Sequence, residues 1–197
     1  MRGLYAITPE SLDTTDLRRR VASALEGGIA LLQYRRKARA NLAEARELAR
    51  MCRAHGTRFV VNDDLELALA CGADGVHLGR DDGTIAAARE RAAGMLLGAS
   101  CYNDLEAGRA AVAVGADYIA FGSVFASPTK PHAVRAPLSL FRDARVLGVP
   151  LAAIGGITLE NAPLAIEAGA RLLAVISDLF EADDIAGRAR AYGKLFP

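Results

Sequence analysis

The sequence predicts an α/β fold, a compact (β/α)8 TIM barrel, on three observations. Eight short apolar runs alternate with longer amphipathic ones along 197 residues. Most of the short runs are apolar at both alternating positions, as in strands that helices cover on both faces of a parallel sheet. Glycines stand where an amphipathic run gives way to the next apolar one, the place where a helix end takes up a left-handed residue. Eight units in 197 residues make about 25 residues each, near the ~200-residue lower edge of such barrels. One domain spanning 1–197 is the expectation. A doubly wound open sheet is the competing architecture, but neither G-x-G-x-x-G after the first strand nor G-x-x-x-x-G-K-[ST] occurs.

The elements follow in order. The first strand is Leu4 to Ile7, and a helix over Asp16 to Glu26 carries Leu17, Val21, Ala24 and Leu25 on one stripe. Ala30 to Tyr34 is the second strand, followed by a helix over Leu42 to His55 with Leu42, Ala45, Leu48, Ala49 and Cys52 on its apolar side. The strands Arg58 to Val61 and Gly75 to Leu78 are each followed by a short helix, one after Asn62-Asp63-Asp64 and one after Thr84. Leu96 to Ala99 leads into a helix over Asp104 to Val114 with Asn103 as its expected N-cap. Tyr118 to Phe121 comes next, then Pro137 at the start of a helix over Leu138 to Val146. Leu151 to Ile154, Leu172 to Ile176 and a last helix over about Asp184 to Lys194 complete the set. The phrases Gly72-Ala73-Asp74-Gly75, Gly115-Ala116-Asp117-Tyr118 and Gly169-Ala170-Arg171-Leu172 recur at helix-to-strand joins, a structural repeat.

Composition excludes several functions. Lys plus Arg is 24 and Asp plus Glu is 23, a formal net charge of +1, so no bulk field grips nucleic acid or an anionic membrane. Aromatic residues are 6% with no Trp, which argues against base-stacking platforms. The hydrophobic share, 52%, is that of a chain with a sizeable core. Cys52, Cys71 and Cys101 have no C-x-x-C or zinc spacing and read as buried free thiols in a reducing compartment. The apolar stretch at Leu4 to Ile7 is too short for a signal peptide, and the longest uncharged run, between Arg145 and Glu160, is too short to span a bilayer. The expected location is the cytoplasm. The sequence leaves open whether copies associate into a homo-oligomer.

In a barrel of this kind the chemistry sits in the loops after the strands. Strand alternation puts Leu31, Gln33, Arg35 and Lys37 on one face, apolar first and cationic towards the C-terminal end, a grip suited to phosphate or diphosphate. The plainer alternative is a solvated charge run. Two acidic loops, Asn62-Asp63-Asp64 and Arg80-Asp81-Asp82, follow adjacent strands. Carboxylates beside a diphosphate suit Mg²⁺, whereas helix capping would account for one member of each pair. Ser100 follows the fifth strand as a ligand hydroxyl or a cap. Ser127-Pro128-Thr129-Lys130-Pro131 reads as a rigid anion clamp, or an ordinary turn. Gly155-Gly156 and Ser177, after strands seven and eight, fit a phosphate site of backbone N–H groups. His77 reads first as a hydrogen-bonded structural residue rather than a base. Neither a Ser-His-Asp nor a Cys-His arrangement is legible.

These motifs, in this order, resemble the thiamine phosphate synthase family. The resemblance rests on Tyr5-Ala6-Ile7-Thr8, Gln33-Tyr34-Arg35-Arg36-Lys37, Asn62-Asp63-Asp64, Ala73 to Gly79, Gly98-Ala99-Ser100, Ser127-Pro128-Thr129-Lys130, Ala153 to Ile157 and Ala174 to Ser177. It implies condensation of 4-amino-2-methyl-5-(diphosphooxymethyl)pyrimidine with 4-methyl-5-(2-phosphooxyethyl)thiazole to thiamine phosphate and diphosphate. Carried over by position, Gln33, Tyr34, Arg35, Arg36, Lys37, Asn62, Ser100 and Lys130 would hold the pyrimidine and its diphosphate. Of these, Arg35, Lys37, Ser100 and Lys130 would take part in catalysis. Asp63 and Asp82 would bind Mg²⁺, the choice of Asp82 over Asp81 resting on family spacing after Gly79. Ser127, Pro128, Thr129, Gly156, Ile176 and Ser177 would hold the thiazole and its phosphate. The chain departs from the family in having Arg80 where Gln is usual, and Gly83-Thr84 where Leu-Pro is common. The readings that compete are a thiazole tautomerase, which needs no diphosphate site, and a catalytically silent phosphate-binding regulatory barrel.

Overall fold

The computed structural model describes residues 1–36, 40–79, 83–126 and 134–196. Eight parallel strands close into a barrel in sequence order: β1 Gly3–Ile7, β2 Leu31–Tyr34, β3 Arg58–Asn62, β4 Gly75–Leu78, β5 Leu96–Tyr102, β6 Tyr118–Gly122, β7 Leu151–Ile154 and β8 Leu172–Val175. The β1–β8 pairing, with Leu4 opposite Leu173 and Ala6 opposite Val175, closes the ring and excludes the open sheet. Each expected strand is present, with ends shifted by a few residues; β5 is the longest because it runs on through Ser100 to Tyr102.

Nine α-helices lie among the described residues: α1 Thr14–Gly27, α2 Leu42–Ala54, α3 Leu65–Cys71, α4 Ile85–Arg91, α5 Leu105–Ala113, α6 Leu138–Ala144, α7 Ala162–Ala168, α8 Ser177–Phe180 and α9 Ile185–Gly193. The expected stripe of α1 is buried, and so are Ala45, Leu48, Ala49 and Cys52 of α2. Two expectations are corrected. Asp104, not Asn103, caps α5, because its carboxylate accepts from the backbone N–H groups of Glu106 and Ala107. Pro137 precedes α6 as its cap residue, and the helix stops at Ala144, where a 3₁₀ turn over Arg145–Leu147 takes over.

Two apolar layers result. Tyr5, Ile7, Leu31, Val60, Tyr118, Ala120, Ala152, Leu172 and Ala174 fill the barrel interior. The alternate strand residues, among them Leu4, Leu32, Phe59, Val61, Ile119 and Leu173, pack outward with the helices. The recurring Gly-Ala-Asp phrases have a physical basis at the N-terminal end of the barrel. Asp74 accepts from the Phe59 amide at 2.8 Å, and Asp117 accepts from the Leu97 amide at 2.8 Å. In each case the aspartate before one strand ties down an N–H near the start of the preceding strand. The three cysteines are free and buried. No helix among the described residues is long and apolar enough to cross a membrane.

Candidate active site

Because all eight strands run parallel, the segments after β2, β3, β5, β7 and β8 share the C-terminal rim. Gln33, Asn62, Ser100, Gly156, Ile176 and Ser177 lie at or just beyond these strand ends. Lys37, Asp82, Ser127, Pro128, Thr129 and Lys130 lie outside the described residues, as do Arg80 and Asp81.

The β2 segment divides by strand parity. Leu31 and Gln33 face the interior, and Gln33 Nε2 donates to the Tyr5 hydroxyl at 2.5 Å. Arg35 leaves the strand on the same side. Its amide donates to Thr8 Oγ1 at 2.8 Å, and its guanidinium is half-buried against Glu10 Oε2 at 3.1 Å. Tyr34 and Arg36 pair instead with a carboxylate on α2, Glu44, and both also line the cleft beside Asn62 and Asp63. The Tyr34 hydroxyl donates to Glu44 Oε1 at 2.8 Å. Arg36 reaches both oxygens of the same carboxylate, at 3.1 and 3.3 Å, and donates to the carbonyls of Glu10 and Leu12. Burial alone would raise the Glu44 carboxyl, but hydrogen bonds from Thr14, Arg36 and Tyr34 outweigh it and hold the group below its ordinary value. The two side chains therefore anchor the loop to α2.

The acidic pair after β3 divides as well. Asp64 caps α3 and accepts from the Leu67 amide at 2.8 Å. Asp63 does not cap. It adopts a left-handed backbone, φ 65°, its amide bonds the His77 carbonyl at 2.8 Å, and Asn62 Nδ2 donates to its Oδ2 at 2.5 Å. A cleft of about 560 Å³ opens beside them, lined by Tyr34, Arg36, Asn62, Asp63 and Asp64 among others. The cap of α4 is Thr84, whose hydroxyl accepts from the Ala87 amide, while the other acidic pair lies outside the described residues. Among the described residues, no cluster of three His, Cys, Asp or Glu side chains could hold a metal. Mg²⁺ does not require one, since it is commonly held by one or two carboxylates with substrate phosphates and water. Asp63, a hard oxygen donor lining this cleft, fits that ion.

Ser100 is not a cap. It lies within β5, and its Oγ is 2.9 Å from His77 Nε2. His77 Nδ1 is 3.0 Å from the Tyr118 hydroxyl, which is 2.8 Å from the Tyr5 hydroxyl. Burial lowers the His77 pKa to about 4 and keeps the ring neutral at physiological pH. The structural reading of His77 therefore describes its bonding, although its partners lead into the site. Tyr5 and Tyr118 were not singled out as site residues; inward strand parity next to Gly98 was the signal that could have found them. Glu10, the partner of Arg35, left no motif in the sequence.

The β6 and β7 loops interlock. Val124 and Phe125 donate backbone N–H groups to the carbonyls of Ile154 and Gly155, both at 2.9 Å. Gly156 has φ 63°, and a Cβ there would stand 2.2 Å from the Ala126 carbonyl oxygen, so only glycine lets the loops meet this closely. Asn161 pins the turn by donating to the Gly156 carbonyl at 2.9 Å and accepting from the Thr158 amide at 3.0 Å.

A closed parallel barrel with its polar groups gathered after the strands is the architecture of a barrel enzyme. The family model described as "Thiamine monophosphate synthase" matches residues 4–179. The thiamine-phosphate synthase of Chromobacterium violaceum is 58% identical, with 100% of this chain and 97% of that protein covered. That of Aromatoleum aromaticum is 59% identical over the same shares. Among solved structures, thiamine phosphate pyrophosphorylase from Pyrococcus furiosus superposes with a TM-score of 0.86 at 34% identity, covering 98% of this chain and 94% of that one. A 3-hexulose-6-phosphate synthase, TM-score 0.77 at 18% identity, shares the fold. The chain belongs to the thiamine monophosphate synthase family and is a transferase.

Proposed function

We propose that this enzyme joins 4-amino-2-methyl-5-(diphosphooxymethyl)pyrimidine to 4-methyl-5-(2-phosphooxyethyl)thiazole. The C–O bond between the pyrimidine methylene and diphosphate breaks, the thiazole nitrogen lone pair forms the new C–N bond, and the products are thiamine phosphate and diphosphate. No electron transfer or external oxidant is involved. The observation that carries the reading is the near-complete match to relatives named thiamine-phosphate synthase, at 58% and 59% identity.

The departing diphosphate gathers negative charge as its bond lengthens, and a dissociative path needs that charge stabilised more than it needs a base. Arg35, Lys37 and Lys130 are the cations assigned to it, together with Asn62. Gln33 and Ser100 hold the pyrimidine ring. Asp63 and Asp82 would hold Mg²⁺, which when bound supplies further charge neutralisation on the diphosphate. Ser127, Pro128, Thr129, Gly156, Ile176 and Ser177 are assigned to the thiazole and its phosphate, Gly156 within a turn pinned by Asn161. Breaking the Arg35–Glu10 pair to meet a diphosphate would exchange one carboxylate for a doubly charged group.

The direct test mixes purified protein with both precursors, with and without Mg²⁺, and measures thiamine phosphate. Mg²⁺-dependent product is expected. Isomerisation of the thiazole phosphate without condensation would favour the tautomerase reading, and binding without turnover the regulatory one.

A further inference from the structure

The interior hydrogen bonds form one uninterrupted chain, Gln33–Tyr5–Tyr118–His77–Ser100. Its two ends are the residues assigned above to the pyrimidine ring. Its three middle members have no part in that assignment.

A chain of this kind has a direction, because each hydroxyl has one proton to give. Gln33 Nε2 can only donate, so Tyr5 accepts there and passes its own proton to Tyr118. Tyr118 then donates to His77 Nδ1. A neutral imidazole that accepts at Nδ1 carries its proton at Nε2 and gives it to Ser100 Oγ. The His77 ring is buried, and its two hydrogen-bond partners are hydroxyls rather than carboxylates, so nothing in the chain favours the charged form. Ser100 therefore keeps its own O–H outside the chain, and Gln33 keeps its Oε1 acceptor outside it.

The space for these links is built in. A Cβ on Gly98 would stand 2.4 Å from the Tyr118 hydroxyl oxygen and 2.5 Å from His77 Nδ1. Any side chain at this position would occupy the contact on which the direction depends.

The geometry points to Tyr5, Tyr118 and His77 as positioning residues that fix the hydrogen-bond polarity of the ring site, presenting Ser100 as a donor and Gln33 as an acceptor. This inference rests on the function proposed above and deepens it. One donor beside one acceptor is complementary to a heteroaromatic ring that carries an amino group next to an unprotonated ring nitrogen. A 4-oxopyrimidine reverses both groups, with a carbonyl in place of the amino group and N–H in place of the ring nitrogen. It would place acceptor against acceptor in a site whose protons cannot be reversed one at a time. The chain is thus a specificity device for 4-amino over 4-oxo rings.

Two measurements test it. Nitrogen-15 NMR of the free protein, with His77 assigned from the signal lost in His77→Gln, should show a neutral ring protonated at Nε2. The ratio of kcat/KM for the 4-amino diphosphate to that for its 4-oxo analogue should fall roughly tenfold or more in Tyr118→Phe, while KM for the thiazole phosphate stays within about twofold. A merely structural tyrosine would lower thermal stability and leave that ratio alone. If Tyr118→Phe does not fold, Tyr5→Phe cuts the preceding link and is read in the same way. An Nδ1 proton, a charged His77 ring or an unchanged ratio overturns the inference. A protein that forms no thiamine phosphate overturns the functional reading and the ligand assignment with it, whereas the tautomer, read without ligand, still decides the direction of the chain.

Discussion

Asp63 and Asp64 are neighbours with unlike work. Asp64 caps α3, and its replacement by Ala should cost about 1 kcal/mol in urea unfolding and leave turnover nearly intact. Asp63 sits in the left-handed region, which Asn tolerates better than Ala. Asp63→Asn should therefore fold normally and lose roughly a hundredfold or more in Mg²⁺-dependent kcat, as expected for removal of a metal carboxylate. Unchanged Mg²⁺-dependent turnover would withdraw the metal role. His77 makes a prediction about pH. Its folded pKa, about 4, lies below the ordinary 6.5, so between those values the unfolded chain binds a proton that the folded one does not. Stability should rise with pH across that window, with His77 contributing on the order of 3 kcal/mol. His77→Gln, compared with the parent from pH 4 to 7, should remove most of that slope.

The β2–α2 unit shows how far a motif can be read. Alternation alone separates Gln33 and Arg35 from Tyr34, and the buried or half-buried partners follow that division. It gave no warning that Arg36 would fold back on Glu44, because an exposed-looking cation and a helix glutamate eight residues on carry no periodic signal. The pair is 3% and 6% exposed, so removing one partner strands a buried charge. Glu44→Ala should destabilise by about 3–5 kcal/mol in chemical denaturation. Replacing both residues by Arg36→Met and Glu44→Leu should cost less than Glu44→Ala, since no charge is then left unpaired.

Closure of the ring depends on elements far apart in sequence. Strands β1 and β8 pair along four residues, and α1, α8 and α9 cover that seam. Asp178 on α8 receives Arg188 at 2.7 Å and the Tyr192 hydroxyl at 2.6 Å from α9, and Arg20 on α1 donates to the Phe180 carbonyl. Asp178→Ala should lower stability by about 2–3 kcal/mol, because two donors lose a largely buried acceptor. Hydrogen exchange should then speed up at the β1 and β8 amides before it does at β3 and β4. Uniform acceleration around the ring would contradict a role at the seam.

The strand and helix types, their order and the gathering of polar residues behind the strands were legible in the linear chain, because periodicity and turn chemistry act within about ten residues. The family could be read from motifs for the same reason: each is local, and their order is a property of the sequence. What folding in three dimensions decided was partnership. Asp104 took the cap from Asn103, Thr84 took the cap of α4, and Arg36 was committed to Glu44. The path from Gln33 to Ser100 takes one residue from each of five strands, and its Tyr5–Tyr118 link joins residues 113 positions apart. Such choices are made by which donor and acceptor meet when the ring closes, and no pattern along one strand encodes the residue opposite it.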